Sequence, residues 1–385
     1  MTIGFTSRAT VSTCVLCAAS LLAPAPAAAI AGVDPGPRAT AAATSLLYRP
    51  GTHVRPRPGA PEVPDPSALS WLVADARTGD VLAARDAHRR LPPASTLKTL
   101  FALTVLPALP AGIRHRVSER ELAGIGPGSS LVGVVEDRTY RVSDLWNGVF
   151  LSSGNDAVHV LAALSGGWRA TAERMQAKAR ALGARDTRVK SPDGYDAPGQ
   201  VSSAYDLAVF GRAGLRNHEF ARYCARHEAR FPARDGGSYG IVNTNRLLTG
   251  ADGVEPYEGL IGIKNGYTGN AGNTLVAAAR RDGHTLVVTV MNPRSGDGHA
   301  VYEEARALLD WGFEAAGRVT PVGSLDALRA DSLRGPQARS ATIPAARRDG
   351  APAPPPTWPI AVAALLGAAG VSLYLRLRWG PVPTG

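Results

Sequence analysis

The 385-residue chain is 45% hydrophobic and 19% charged, a balance that excludes global disorder and leaves enough apolar side chain for a sizeable core. Its formal charge of +10 suits an anionic surface such as membrane lipid or cell-wall polymer, but no helix face or cluster is dense enough in Arg and Lys to argue for nucleic acid. Two of the three cysteines, Cys14 and Cys17, lie in a segment expected to be removed, so Cys224 stands alone and neither an intrachain disulfide nor a cysteine metal site is expected.

The N-terminus carries Arg8, an apolar run over 11–22 and then a small-residue Ala-Pro stretch, the pattern of a secretory signal peptide over 1–31. Residues 32–66 are rich in Pro, Gly and Arg and read as a tether, with the folded part expected over 67–316. Residues 71–75 and 81–84 flank Thr78-Gly79-Asp80 and predict a hairpin. Pro92 and Pro93 then forbid helix, while Leu97, Leu100, Phe101 and Val105 behind Ser95 predict a helix starting at or beside the serine.

Ser95 and Lys98 thereby fall three apart on one helical face. A lysine held there out of bulk water has its charged form disfavoured, so it can take the serine proton and make the hydroxyl a nucleophile. Further along, residues 129–134 read as a possible strand. Residues 143–151 read as a helix with Ser143 as its cap, ending in Ser152-Ser153-Gly154-Asn155-Asp156. Helical patterns over 157–164 and 168–182 place Ser153 and Asn155 on a turn between helices, where a hydroxyl and an amide can face a cleft. Ser203 caps another expected helix. The stretch Gly236-Gly237-Ser238-Tyr239-Gly240 has the letters of a nucleophile elbow but not the strand before it and helix after it that an elbow needs.

From residue 260 the pattern turns to strand: 260–264, 274–279 and 285–290, with Asp282-Gly283-His284 as a turn, predict a three-stranded antiparallel meander. A helix over 302–313 follows. Lys264 ends the first of these strands, and Gly266 beyond it would let a ligand lie close to the backbone. Residues 317–357 lose apolar periodicity and end in a Pro-rich linker. Residues 358–375 are then continuously apolar and flanked by aromatic and Arg residues, the pattern of a single membrane span, with 376–385 as a cytoplasmic tail.

Ser95-x-x-Lys98, Ser153-x-Asn155 and Lys264-x-Gly266 occur in the order and with the residue types of the serine penicillin-binding-protein and β-lactamase superfamily. Their surroundings, with Ser203-Ala204-Tyr205-Asp206 and Asn245-Arg246-Leu247-Leu248, resemble the D-alanyl-D-alanine carboxypeptidase family, the low-molecular-mass serine penicillin-binding proteins. The resemblance implies an α+β, β-lactamase/D,D-peptidase-like fold: an antiparallel sheet flanked by helices, and a helical lobe carrying Ser153. It implies Ser95 as nucleophile, Lys98 as base, Ser153 as proton relay and Asn155 positioning Lys98 and the substrate amide. Lys264 and Thr268 would hold the substrate carboxylate, beside Gly266, with the backbone N–H groups of Ser95 and Tyr267 as oxyanion hole. The implied reaction removes the terminal D-Ala of peptidoglycan stem peptides with no metal or cofactor, and β-lactam antibiotics would acylate the same serine. A β-lactamase and a non-catalytic wall-binding sensor are the alternatives. Asn265, where the family usually has Thr, and Ser191-Pro192-Asp193-Gly194-Tyr195 depart from the family pattern.

Overall fold

The computed structural model describes residues 46–326. The expected signal peptide, the membrane span at 358–375 and the tail at 376–385 lie outside these residues, as does most of the linker. Chain order runs through β1 (Thr52–Val54), β2 (Ser70–Asp75), β3 (Asp80–Arg85), α1 (Lys98–Val105), β4 (Arg114–Arg116), α2 (Glu119–Leu122), β5 (Thr139–Arg141), α3 (Val142–Leu151), α4 (Asn155–Leu164) and α5 (Trp168–Ala181). It continues with α6 (Ala204–Leu215), α7 (His218–Cys224), β6 (Glu228–Pro232), β7 (Ser238–Val242), α8 (Arg246–Thr249), β8 (Leu260–Thr268), β9 (Gly272–Arg281), β10 (His284–Met291), α9 (Ala300–Ala315) and β11 (Gly323–Ser324).

The main sheet is antiparallel, in the order β1-β3-β2-β10-β9-β8, with β11 also paired to β3. The expected hairpin is β2 and β3, and the expected meander is β8, β9 and β10, the last two joined at Asp282-Gly283. Because side chains alternate across a strand, both faces of this sheet are apolar. Leu275, Ala277, Val288, Val290, Trp71 and Val73 meet Leu308, Leu309 and Trp311 of α9. On the other face Val276, Ala278, Val287, Leu72 and Ala74 pack under α1 and α6, in one core with the helical lobe of α3, α4 and α5. Helices therefore cover both faces of the sheet, as expected.

Four local expectations are corrected. Residues 46–66 are not a free tether: β1 pairs with β3, Arg57 N donates to Arg318 O (2.9 Å) and Trp311 Nε1 to Pro61 O (3.2 Å). Proline blocks helix and central strand but is compatible with an edge, which is where this segment runs. The fold likewise extends past 316, since β11 joins the sheet and Asp326 pairs with the buried Arg212 at 2.9 Å. Residues 129–134 form no strand, because the N–H groups of Val132, Gly133 and Val134 all donate to the Asp156 carboxylate. Ser143 lies inside α3, whose entry is held by Asp144 Oδ2 accepting from Arg141 N (3.1 Å). Ser203, by contrast, does cap α6, its side chain accepting from Asp206 N at 3.2 Å. Ser238 opens β7 in a hairpin with β6, so no elbow exists there.

Candidate active site

Pro92 and Pro93 deliver the chain into a 3₁₀ turn over Ala94–Leu97, and α1 starts only at Lys98. The 3₁₀ geometry eclipses residues three apart, which brings Lys98 Nζ to 2.7 Å from Ser95 Oγ. Ser95 is partly exposed, whereas Lys98 is 1% exposed. The other Lys98 contact is a hydrogen bond donated to the carbonyl of Asp193 at 2.8 Å. Burial lowers the Lys98 ammonium from its ordinary 10.5 to about 8, against the opposing pull of the Asp193 and Asp156 carboxylates. With one N–H committed to Asp193, the neutral amine can turn its lone pair to the Ser95 hydroxyl, the arrangement a general base needs.

Asp193 reaches Lys98 because the 191–200 loop is stitched to itself. Gln200 Oε1 accepts from Lys190 N (3.0 Å) and Ser191 N (2.7 Å), and Asp193 Oδ1 accepts from Ser191 Oγ (2.7 Å) and Tyr195 N (3.0 Å). Gly194 then passes the Ser95 turn at φ +82°, where a Cβ would stand 2.1 Å from Ala94 O. No other residue fits there.

Ser153 and Asn155 lie between α3 and α4, as the sequence predicts. Ser153 is held at φ +55°, a conformation costly for a residue with a Cβ. Its buried hydroxyl has no hydrogen-bond partner among the described residues, and it lines the same groove as Ser95. Asn155 donates from Nδ2 to Ser129 Oγ at 2.9 Å, so in this state Lys98 is positioned by the Asp193 carbonyl rather than by the Asn155 amide. The fourth side of the groove is β8. Gly266 brings that strand against Ser95, since a Cβ there would lie 2.6 Å from Ser95 N. Tyr267 stands at the rim, 68% exposed.

Lys264 is 2% exposed and donates to Asn265 O at 2.8 Å. Burial first, and the Lys98 charge second, push its ammonium well below its ordinary value. Asn265 turns Oδ1 to Thr244 Oγ1 (3.1 Å) and lies 3.5 Å from Lys264 Nζ. It thus offers N–H donors where a threonine would offer a hydroxyl. Thr268 is already engaged, its hydroxyl donating to Asp196 Oδ1 at 2.8 Å.

All eight residues singled out in the sequence converge here, but Lys98 and Lys264 sit behind the groove wall rather than on it. Sequence reasoning gave no role to Arg246, Thr244 and Tyr302, which line a cavity of about 630 Å³ with Ser95, although Arg246 lies within a stretch that carried the resemblance. It also gave no role to Asp156 and Asp193, although both lie in stretches it singled out, and it missed Asp196, for which no local pattern existed. Cys224 is fully buried and its thiol is pushed up to about 12 by burial, which disfavours the thiolate at neutral pH.

Asp193→Asn tests the electrostatic part of this arrangement. The main-chain contact to Lys98 is kept while a carboxylate that favours the Lys98 ammonium is removed. The pH midpoint of Ser95 acylation is therefore expected to move to lower pH, with acylation at pH 6 about two- to threefold faster relative to its plateau. Stopped-flow acylation by a chromogenic β-lactam across pH 5–9 reads this directly.

A serine hydroxyl paired with a buried lysine, set between an antiparallel sheet and a helical lobe, is the arrangement of a serine acyl-transfer enzyme that works without histidine. The family model described as D-alanyl-D-alanine carboxypeptidase matches residues 58–295. D-alanyl-D-alanine carboxypeptidase DacB2 of Mycobacterium tuberculosis is 40% identical over 270 residues, 69% of this chain and 89% of that protein. DacD of Escherichia coli is 34% identical over 268 residues, 66% of this chain, which spans 65% of that longer relative. The crystal structure of a D-alanyl-D-alanine carboxypeptidase from M. tuberculosis superimposes with a TM-score of 0.64 at 38% identity, covering 71% of this chain and all of that one. This chain belongs to the D-alanyl-D-alanine carboxypeptidase family.

Proposed function

We propose that the chain is a serine-type D-Ala-D-Ala carboxypeptidase that trims peptidoglycan stem peptides and is acylated by penicillins. The observation that carries the reading is the buried Lys98 amine 2.7 Å from Ser95 Oγ, with a pKa of about 8. In this reading Ser95 Oγ attacks the carbonyl between the two D-alanines as its proton passes to Lys98. The unpartnered Ser153 hydroxyl relays a proton to the departing amine, and the acyl-Ser95 ester is then hydrolysed by water. Arg246 supplies positive charge, and Lys264 and Asn265 supply N–H donors, for the carboxylate of the leaving D-Ala. The backbone N–H groups of Ser95 and Tyr267 serve the oxyanion. Asn155 orients the acyl segment from the opposite wall.

The same reading places the enzyme outside the cytoplasmic membrane. The supporting observations are the signal-peptide pattern over 1–31 and the apolar segment over 358–375, which would leave the catalytic domain extracytoplasmic on a single C-terminal anchor. Among the described residues no helix is long and apolar enough to cross a membrane.

The test is D-Ala release from a diacylated D-Ala-D-Ala tripeptide by the full chain, run beside labelling with a fluorescent penicillin. Release together with Ser95-dependent labelling is expected. Labelling without release would point instead to a sensor, and rapid loss of label to a β-lactamase.

A further inference from the structure

Two cavities meet at the nucleophile, and their walls carry opposite charge. In the larger, about 630 Å³, the one charged side chain on the wall is Arg246, whose Nε donates to Asp252 Oδ2 at 2.7 Å and which turns the rest of its guanidinium to the cavity; in the smaller, about 200 Å³, it is Asp196. Ser95, Gly128, Ser130 and Tyr267 are common to both. A peptide cut at Ser95 must lay its leaving residue on one side and its acyl segment on the other. The leaving residue ends in a carboxylate, which is drawn to the Arg246 and Lys264 side, so the acyl segment enters the cavity walled by Asp196.

We propose that Asp196 makes the enzyme selective for substrates whose acyl segment carries a protonated amine on the side chain preceding the two D-alanines. The inference rests on the carboxypeptidase reading. Asp196 is held for this purpose by the end of β8 and the turn after it: Oδ1 accepts from Thr268 Oγ1 (2.8 Å) and Oδ2 from Asn270 N (3.3 Å). Both donors are neutral and leave its charge uncompensated, and among the described residues no cation pairs with it. Tyr195, whose hydroxyl donates to Pro127 O at 2.6 Å, and Pro127 itself line the same cavity as Asp196. A carboxylate fixed by two hydrogen bonds, half-buried beside the nucleophile, discriminates an ammonium from a neutral amide of the same length.

The full chain is assayed for D-Ala release from Nα-acetyl-L-Lys-D-Ala-D-Ala, which has a free side-chain amine, and from the Nα,Nε-diacetyl peptide, which is neutral there. The free-amine peptide is expected to have about fivefold higher kcat/KM at low salt, carried by KM, with the ratio falling as salt is added. In Asp196→Asn the ratio falls to about one. A ratio near one in the wild type, or an unchanged ratio in Asp196→Asn, overturns the proposal. The wild-type ratio and its salt dependence decide it even where the variant does not fold. Equal turnover of both peptides with intact penicillin labelling sinks only the role of Asp196, whereas no turnover and no labelling sinks the carboxypeptidase reading with it.

Discussion

Lys98→Met is expected to slow acylation of Ser95 by a penicillin about 10³-fold, within the range that loss of a general base produces, while the protein remains folded. At pH 7 a lysine with a pKa of about 8 is roughly one-tenth neutral, against about one part in 3,000 for one at 10.5, so burial raises the working base about 300-fold. Acylation by the wild type should accordingly rise through pH 6–8 and level above it. The stability sign is opposite to that of an ordinary ion pair. The folded state binds this proton less tightly than the unfolded state, so below pH 8 Lys98 costs about 3 kcal/mol, a cost that fades as pH rises from about 8 to 10.5. Methionine removes that cost, and the variant should melt no lower than the wild type at pH 6. Ser95→Ala should take no label at any pH. A Lys98→Met protein that folds and still acylates within tenfold of the wild-type rate would remove lysine from the mechanism.

Asp156→Ala is expected to be the most destabilising single change near the site. The Asp156 carboxylate is buried and accepts from Val132 N, Gly133 N, Val134 N and Ala157 N at 2.8–3.1 Å. It replaces the partner strand that 129–134 lacks and sits in the first turn of α4, where a negative charge is favoured. Alanine leaves these N–H groups unpaired in the interior, for a loss of about 4 kcal/mol. For a domain of this size that is a melting temperature lower by about 10 °C, measured by calorimetry. The loop so released carries Ser129 and Ser130, which contact the Asn155 amide and main chain, so kcat/KM should fall even where the protein is still folded. Asp156→Asn, which keeps one acceptor oxygen, should lie between the two.

The sequence determined by itself whatever depends on neighbours along the chain. Two prolines followed by Ser95 and Lys98 fix a turn in which residues three apart must meet. Asp282-Gly283 between two apolar strand runs fixes a hairpin, and Ser203 caps its own helix three residues on. Each is short-range chemistry, legible from spacing and residue type. Tertiary structure alone decided what those groups experience. The carbonyl that holds Lys98 comes from a residue 95 positions away, and Asp196 and Arg246 meet Ser95 from elements with no shared periodicity. The same limit accounts for the errors: 129–134 has strand composition but loses its N–H groups to Asp156, and the Pro-rich 46–66 stretch has tether composition but finds a sheet edge. Composition records what a segment prefers when alone. Which donor meets which acceptor, and which lysine loses its water, is settled only when distant segments pack together, because desolvation and hydrogen-bond pairing are properties of the assembled interior.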